Sequence, residues 1–385
     1  MKLGLDQISQ LKKLRNKSIG VLCHAASVNS KQEHILEILK DFHIKKLFGP
    51  EHGIWGVAQD MEWVENDREP ITQIPVQSLY GSNEESLKPQ IQWLEGIDAI
   101  LCDLQDVGSR YYTFIYSIVF MMQACAAAGI PVYLLDRPNP IGGALVEGGK
   151  IDPGFESFVG LYSIPNRHGM TVGELATYFN EVYKIGADLS VLKMIAWKRK
   201  KYLDETTFPW ILPSPNMPTL NTALVYPGMC LIEATEISEG RGTTRPFEIF
   251  GAPYIEPEKL KKHLGSFKLP GVFFRPLFFK PTFQKWAGQI CGGLQIHVTD
   301  RNRFRPYLTG LAVMKAIYDL YPKHFQWREK PYEFVKEIPA IDLLTGSAQF
   351  RKKLERACYF KEIRDFYEEG KTQLLSQRKH HLLYP

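Results

Sequence analysis

The sequence predicts an α/β protein in which a Rossmann-like parallel-sheet domain, residues 1–205, precedes a smaller α+β domain, residues 206–385. Three observations lead there. The first half alternates short, almost continuously apolar runs with helical patterns, as strands covered on both faces of a parallel sheet require. Beyond residue 205 the texture changes, with Pro209, Pro213, Pro215, Pro218, Pro227 and Gly228 in close succession. And 385 residues are more than one small core holds.

Residues 19–23 read as the first strand. Residues 32–42 form a helical pattern that turns Ile35, Leu36, Ile38 and Leu39 inward, and 46–48 and 76–79 supply the second and third strands. The fourth strand, 97–104, leads to a helix over 113–128 that Gly129 stops, and 131–135 is the fifth strand. Thr171, with Glu174 three residues on, is a capping box opening a helix over 172–183, and 189–195 fits an edge strand. In the second half, 271–274 and 293–298 look like strands and 308–318 like a helix. The aromatic group Phe273, Phe274, Phe278, Phe279, Phe283 and Trp286 is read as core in preference to a sugar platform.

Composition narrows the function classes. With 44% hydrophobic and 23% charged residues, this is an ordinary globular composition. The net charge of +5 comes from scattered basic residues. Their single dense run, Lys198-Arg199-Lys200-Lys201, reads as a solvated loop, so no nucleic-acid partner is expected. No apolar stretch has the length of a membrane span and no leader-like segment opens the sequence. No membrane association is expected, and the location reads as cytoplasmic, or periplasmic or secreted if a leader has been trimmed. Cys23, Cys102, Cys125, Cys230, Cys291 and Cys358 lie far apart without a C-x-x-C pair and read as buried free thiols. Dinucleotide, P-loop, zincin and nucleophile-elbow motifs are absent, and neither a metal nor a redox cofactor is expected.

Ligands of open α/β sheets bind beyond the carboxyl ends of the strands. Here successive strands run into polar clusters that place Glu51, His52, Asp103, Gln105, Asp106, Arg110, Asp136, Arg137 and Asn139 along one rim, with Tyr111 and Tyr112 beside them. Any one of these alone serves equally well as a turn-former or half of a structural ion pair; the repetition favours a site. Arg167 and His168 precede the helix at Val172, where backbone N–H groups and two basic side chains suit an anion. Residues 233–244 pack Glu233, Glu236, Glu239, Arg241 and two glycines into a loop, where Glu239 and Arg241 are as readily a surface pair as a functional one.

Taken in order, GPEHGIWG (49–56), LCDLQDVGSRYYTFI (101–115), LDRPNPIGG (135–143), VEG (146–148), RHGMTVGEL (167–175), PSPNMPT (213–219), ALVYPG (223–228), SEGRGTTRPFE (238–248) and HVTDR (297–301) resemble the family of exo-acting β-N-acetylmuramidases of peptidoglycan recycling. The resemblance spans most of the chain. It implies an active site in the cleft between two domains, no cofactor, and cleavage at the non-reducing end of a small carbohydrate, a muropeptide or a disaccharide containing N-acetylmuramic acid. The leading catalytic candidate of the family is the glutamate of GPEHG, which falls on Glu51.

Glycoside cleavage needs an acid at the leaving oxygen, usually with a second carboxylate, and burial raises a carboxyl pKa toward neutrality. Glu51 sits on a strand-end turn where burial is available. Asp103, Asp106, Glu236 and Glu239 are candidates for the second group, with assistance by the substrate's 2-acetamido group as another route. The lactyl carboxylate of muramic acid calls for a cation, and Arg110, Arg137, Arg167, His168 and Arg241 are at hand. The expected catalytic set is therefore Glu51, Asp103 and Glu239. The expected binding set is His52, Gln105, Asp106, Arg110, Tyr111, Arg137, Asn139, Arg167, His168, Glu236 and Arg241. Gly240 and Gly242 suggest a mobile loop that closes over the sugar. Two rival readings stay open: a non-catalytic sugar-binding protein, and a hydrolase of another small ligand, metal-assisted through His52, Asp103 and His168.

Overall fold

The computed structural model describes residues 1–59, 62, 67–369 and 371–385. The first seven strands are β1 (Ser18–Cys23), β2 (His43–Gly49), β3 (Asp67–Arg68), β4 (Pro75–Ser78), β5 (Ala99–Asp103), β6 (Val132–Leu135) and β7 (Leu189–Leu192). They form one sheet in the order β3-β4-β2-β1-β5-β6-β7, parallel except for the β3–β4 pair. Alternation along the strands sends side chains to two cores. Leu22, Phe48, Ile100, Cys102 and Leu134 pack with α2 (Phe114–Ala128) and α3 (Val172–Val182). Val21, Leu47, Leu101 and Leu135 pack under Leu5, Leu11 and Leu14 of the N-terminal 3₁₀ segment and Ile35 of α1 (Ile35–Ile38). With both faces covered, the strands need the continuous apolar runs that make them legible.

The second unit begins with α4 (Leu220–Met229), followed by β8 (Ile249–Ala252), α5 (Pro257–Ser266), β9 (Val272–Phe279), β10 (Cys291–Val298) and α6 (Pro306–Leu320). Its sheet is antiparallel, in the order β8-β10-β9. Four short helices end the chain: α7 (Ala340–Thr345), α8 (Gln349–Glu355), α9 (Phe360–Glu368) and α10 (Lys371–Lys379). Helices α4 and α6 approach so closely that a Cβ on Gly228 would lie 1.8 Å from the Pro306 carbonyl oxygen, and one on Gly310 would lie 2.1 Å from that of Gly228. The chain then returns to the first unit. Tyr384 donates its hydroxyl to Asp136, Arg378 donates to the Gly169 carbonyl (2.8 Å), and Arg199 N–H donates to the Pro385 carbonyl (2.9 Å).

The sequence-based elements hold where apolar periodicity is strong and shift where it is not. The capping box at Thr171 is present, and Gly129 ends α2 at φ 68°. All six cysteines are free and buried. The helix expected over 32–42 shrinks to α1, because Gln32 turns left-handed at φ 67° and the strand β2 already begins at His43. The sequence reading does not include helices α4, α5 and α7–α10 or strands β3 and β8. Two readings of side chains need correction. Phe273 and Phe278 are exposed on β9, an edge strand in which only Phe274 is fully buried; Phe283, beyond the strand, is exposed too, and Trp286 packs part-buried against the core. Within the basic run, Arg199 is buried against Glu174, while its three lysine neighbours are exposed as expected.

Candidate active site

The strand order reverses at β1, whose neighbours are β2 on one side and β5 on the other, so a crevice opens at their carboxyl ends. His24, just after β1, accepts the Gln105 N–H on Nε2 (2.9 Å), and its Nδ1 lies 3.3 Å from the Pro213 carbonyl in the stretch before α4. Burial, then the nearby Arg137 charge, pushes the His24 pKa down to about 3. The imidazole is a neutral strut. Asp103, fully buried at the end of β5, is gripped through both oxygens by Arg137. Burial raises its pKa despite the guanidinium.

The open space lies one strand over, beyond β2. Glu51 and His52 of the turn after β2 line a pocket with Tyr111, Tyr112, Thr113 and Phe114 from the loop entering α2. The stretch leading to α4 contributes Ser214 and Asn216, and the second unit Tyr226, Glu233, Arg241, Phe247, Tyr332 and Glu333. Glu51 is 6% exposed and accepts a hydrogen bond from the Thr113 hydroxyl (2.7 Å), with the His52 imidazole 3.8 Å away. Across the pocket, Glu233 accepts from Arg241 (2.7 Å) and from the Tyr332 hydroxyl (2.6 Å). Burial would raise its pKa, but the Arg241 charge and these hydrogen bonds outweigh it and hold Glu233 below the usual carboxylate range. Burial pushes the phenols of Tyr111, Tyr112, Tyr226 and Tyr332 up, so all four stay protonated.

Three lining residues sit at left-handed φ without being glycine: His52 (70°), Phe247 (61°) and Glu333 (45°). Such conformations cost roughly 1–3 kcal/mol each and collect where side chains must be aimed. Glu333 and Phe334 (φ 70°) are the two central residues of a type I′ turn closed by reciprocal Tyr332–Val335 backbone hydrogen bonds, and this turn presents Glu333 to the pocket.

A second, larger cavity of about 520 Å³ adjoins the first through Glu233. Glu236, Glu239, Gln284, Lys285, Arg328 and Lys330 complete its lining. Glu239 lies between Lys285 (2.8 Å) and Arg241 (3.4 Å).

Of the residues singled out in the sequence, Glu51, His52, Tyr111 and Arg241 line the inner pocket, and Glu236 and Glu239 the outer cavity. The other residues of the expected catalytic and binding sets line neither cavity. Arg110 donates to the carbonyls of Gly149, Ile164 and Leu344, and Asn139 donates to that of Met170. Gln105 donates to the carbonyls of Asp106 and Pro138. Asp106 lies 3.2 Å from His168 Nε2, and Arg167 pairs with Glu147 (3.3 Å). The anion expected at the start of α3 is the protein's own Asp136, which accepts the Gly173 N–H (2.7 Å) and leaves no room for an exogenous one. The surface-pair reading of Glu239 and Arg241 fails, as both are buried. Their loop packs closely on its surroundings: Thr282 N–H donates to the Gly242 carbonyl (2.9 Å), and a Cβ at Gly240 or Gly242 would strike the backbone of Ile249 or Phe283. His52, Asp103 and His168 have separate partners, and among the described residues no group of three or more His, Cys, Asp or Glu side chains is placed to hold a metal ion. No helix of the described residues is long and apolar enough to cross a membrane.

Sequence reasoning missed Thr113, Ser214, Asn216, Tyr226, Phe247, Tyr332 and Glu333 as pocket residues, and left Glu233 in its loop without a role. All but Tyr332, Glu333 and Glu233 fall inside the motif strings, which was the available signal.

Comparison with known proteins places this geometry. Family models described as exo-β-N-acetylmuramidase NamZ, N-terminal and C-terminal, match residues 19–221 and 224–384. A peptidoglycan β-N-acetylmuramidase NamZ of Bacillus subtilis (strain 168) is 45% identical over 386 residues, covering 99% of this chain and 91% of that protein. A crystal structure of a DUF1343 family protein from Bacteroides fragilis NCTC 9343 matches with a TM-score of 0.89 at 31% identity, covering 100% of this chain and 99% of that one. A second from the same organism gives 0.77 at 27%, covering 100% and 98%. The chain belongs to the exo-β-N-acetylmuramidase NamZ family and is a glycoside hydrolase.

Proposed function

We propose that this protein releases terminal N-acetylmuramic acid from the non-reducing end of peptidoglycan fragments, with Glu51 as the general acid. The observation that carries the reading is the position of Glu51, a buried carboxyl group in a pocket walled by both units, oriented by the Thr113 hydroxyl. A pocket walled in this way suits a chain-terminal ring better than the middle of a strand. As the C1–O bond breaks, Glu51 gives its proton to the leaving oxygen while positive charge develops on the ring. Glu233 stays ionised opposite it, held by Arg241 and Tyr332. Arg241 is the arginine of the pocket and the cation placed to meet the lactyl carboxylate; Arg167, the other arginine favoured for that role, is outside the lining.

The test is Glu51→Gln on a chromogenic N-acetylmuramide. The expected result is a native fold, with kcat lower by about 10²-fold or more, the range for a lost general acid. Near-native turnover removes Glu51 from the role.

A further inference from the structure

We infer that residues 329–338 form a strap that lifts to admit the terminal sugar and then closes on it, bringing Tyr332 back onto Glu233. This inference rests on the reading of the inner pocket as the site of that sugar. The inner pocket encloses only about 30 Å³, room for one or two water molecules, whereas ligand pockets run to roughly 300–1,000 Å³. A sugar ring enters only if a wall moves.

The walls differ in what holds them. Glu51 and His52 follow directly on β2, and Tyr111 is tied to α4 by the bond from its hydroxyl to the Pro227 carbonyl (2.6 Å). Helix α4, which carries Tyr226, is packed backbone to backbone on α6 at Gly228 and Gly310. The strap is held differently. It runs between Arg328, whose N–H donates to the Ala234 carbonyl (2.9 Å), and Pro339 at the start of α7. Among the described residues, its backbone hydrogen bonds are the reciprocal Tyr332–Val335 pair, and none reaches another segment. Side chains fasten it: Tyr332 donates to Glu233 (2.6 Å), Glu333 accepts from the Tyr80 hydroxyl (3.2 Å), and the Phe334 ring lies 5.7 Å from that of Tyr80. The left-handed backbone of Glu333 and Phe334 is a cost that these contacts offset. The strap also stands between the two cavities, with Tyr332 and Glu333 on the inner one and Lys330 on the outer. Lifting it joins a space of about 30 Å³ to one of about 520 Å³, which brings the whole into the range of a ligand site. Closure has a chemical consequence. Glu233 regains the Tyr332 hydrogen bond beside that of Arg241 when the ring is in place, so the carboxylate opposite Glu51 is completed and water is shut out in one movement.

The experiment replaces Phe334 by its para-fluoro analogue and follows the fluorine resonance, which the Tyr80 ring shifts while the strap is closed. Phe334 is not a lining residue, so the label reports the strap and not contact with the sugar. On saturation with N-acetylmuramic acid, the expected result is a shift or narrowing of the resonance as the open population is drawn into the closed one. Tyr80→Phe removes a hydrogen bond from the strap at a residue outside the pocket lining. It should raise the open fraction about 5-fold or more and move the resonance the opposite way. A resonance that neither the sugar nor Tyr80→Phe changes overturns the inference, and so does one that ignores the sugar in a protein that hydrolyses a chromogenic N-acetylmuramide. A change with the sugar alone upholds the strap and removes Tyr80 as its fastening. Failure of the underlying reading looks different: the wild-type protein then releases no sugar from that substrate, and the Tyr80→Phe arm alone decides whether the strap opens.

Discussion

Replacing Arg241 by methionine tests the electrostatic core of the site. The guanidinium lies 2.7 Å from Glu233 and 3.4 Å from Glu239 and stacks 5.1 Å over the Phe247 ring, with all three charged side chains at most 7% exposed. Methionine keeps much of the stem volume but leaves two buried carboxylates facing Lys285 alone. Removing one partner of a buried pair costs about 3–5 kcal/mol, because the remaining charge stays buried. At an unfolding entropy of about 2.1 cal/mol/K per residue, 385 residues give about 0.8 kcal/mol/K, so Tm should fall by about 4–6 °C at neutral pH. The pH dependence follows from Glu233, whose folded pKa is depressed. Its contribution is present above the unfolded value of about 4.3 and is lost as pH falls through the folded one. In the variant the ionised carboxylates are a liability that protonation removes, so the Tm gap should be widest near pH 7.5 and narrow below about pH 4.5. Calorimetry of both proteins across that range measures the gap directly. A Tm within about 1 °C of wild type at neutral pH, or a gap independent of pH, would refute the reasoning.

Three further outcomes follow from buried groups. Burial pushes the Asp136 carboxyl up to about 6, so its ionisation costs stability as pH rises from its unfolded value toward 6, and the Tyr384 hydroxyl offsets part of that cost. Tyr384→Phe should therefore lower stability by about 1.5–3 kcal/mol at pH 8 and by less at pH 5; chemical denaturation with equal losses at both values would contradict this. The His24 ring, with its pKa near 3, should show no titration of its carbon-bound protons by NMR between pH 8 and pH 4; its stabilising effect is full above the ordinary histidine value and lost as pH falls toward 3. Gly228→Ala should destabilise by at least about 1–3 kcal/mol, since the new methyl group meets a backbone oxygen that cannot step aside; an unchanged denaturation midpoint would mean that α4 and α6 slide apart freely.

The first sheet is legible because burial on both faces makes its central strands β1, β5 and β6 almost continuously apolar, and Glu51 is legible because it sits in a motif at the end of a neighbouring strand. The rim as a whole is not. Asp103 and Glu51 are the same kind of residue at the same kind of place, and only coordinates reveal that Arg137 occupies one and a pocket opens at the other. The far wall is hidden for a different reason. A type I′ turn is normally announced by Asn-Gly or Gly-Gly, whereas here Glu333 and Phe334 hold the left-handed positions, so the signal for the turn is missing. Helix α4 escapes because Pro227, inside its last turn, reads as a breaker.

The return of the chain to the first unit bears on how the protein is made. Asp136 ends β6 in the first unit, yet the phenol that caps it comes from residue 384, and Arg199 and Glu174 bond to residues 385, 384 and 383. During synthesis the parallel sheet emerges long before these partners, and it must wait, with a buried carboxylate and an unpaired helix flank, until the second unit has been delivered. The two halves matched by separate family models are therefore poor candidates for separate expression: the N-terminal one lacks residues 383–385, which complete it and are made only after the second unit.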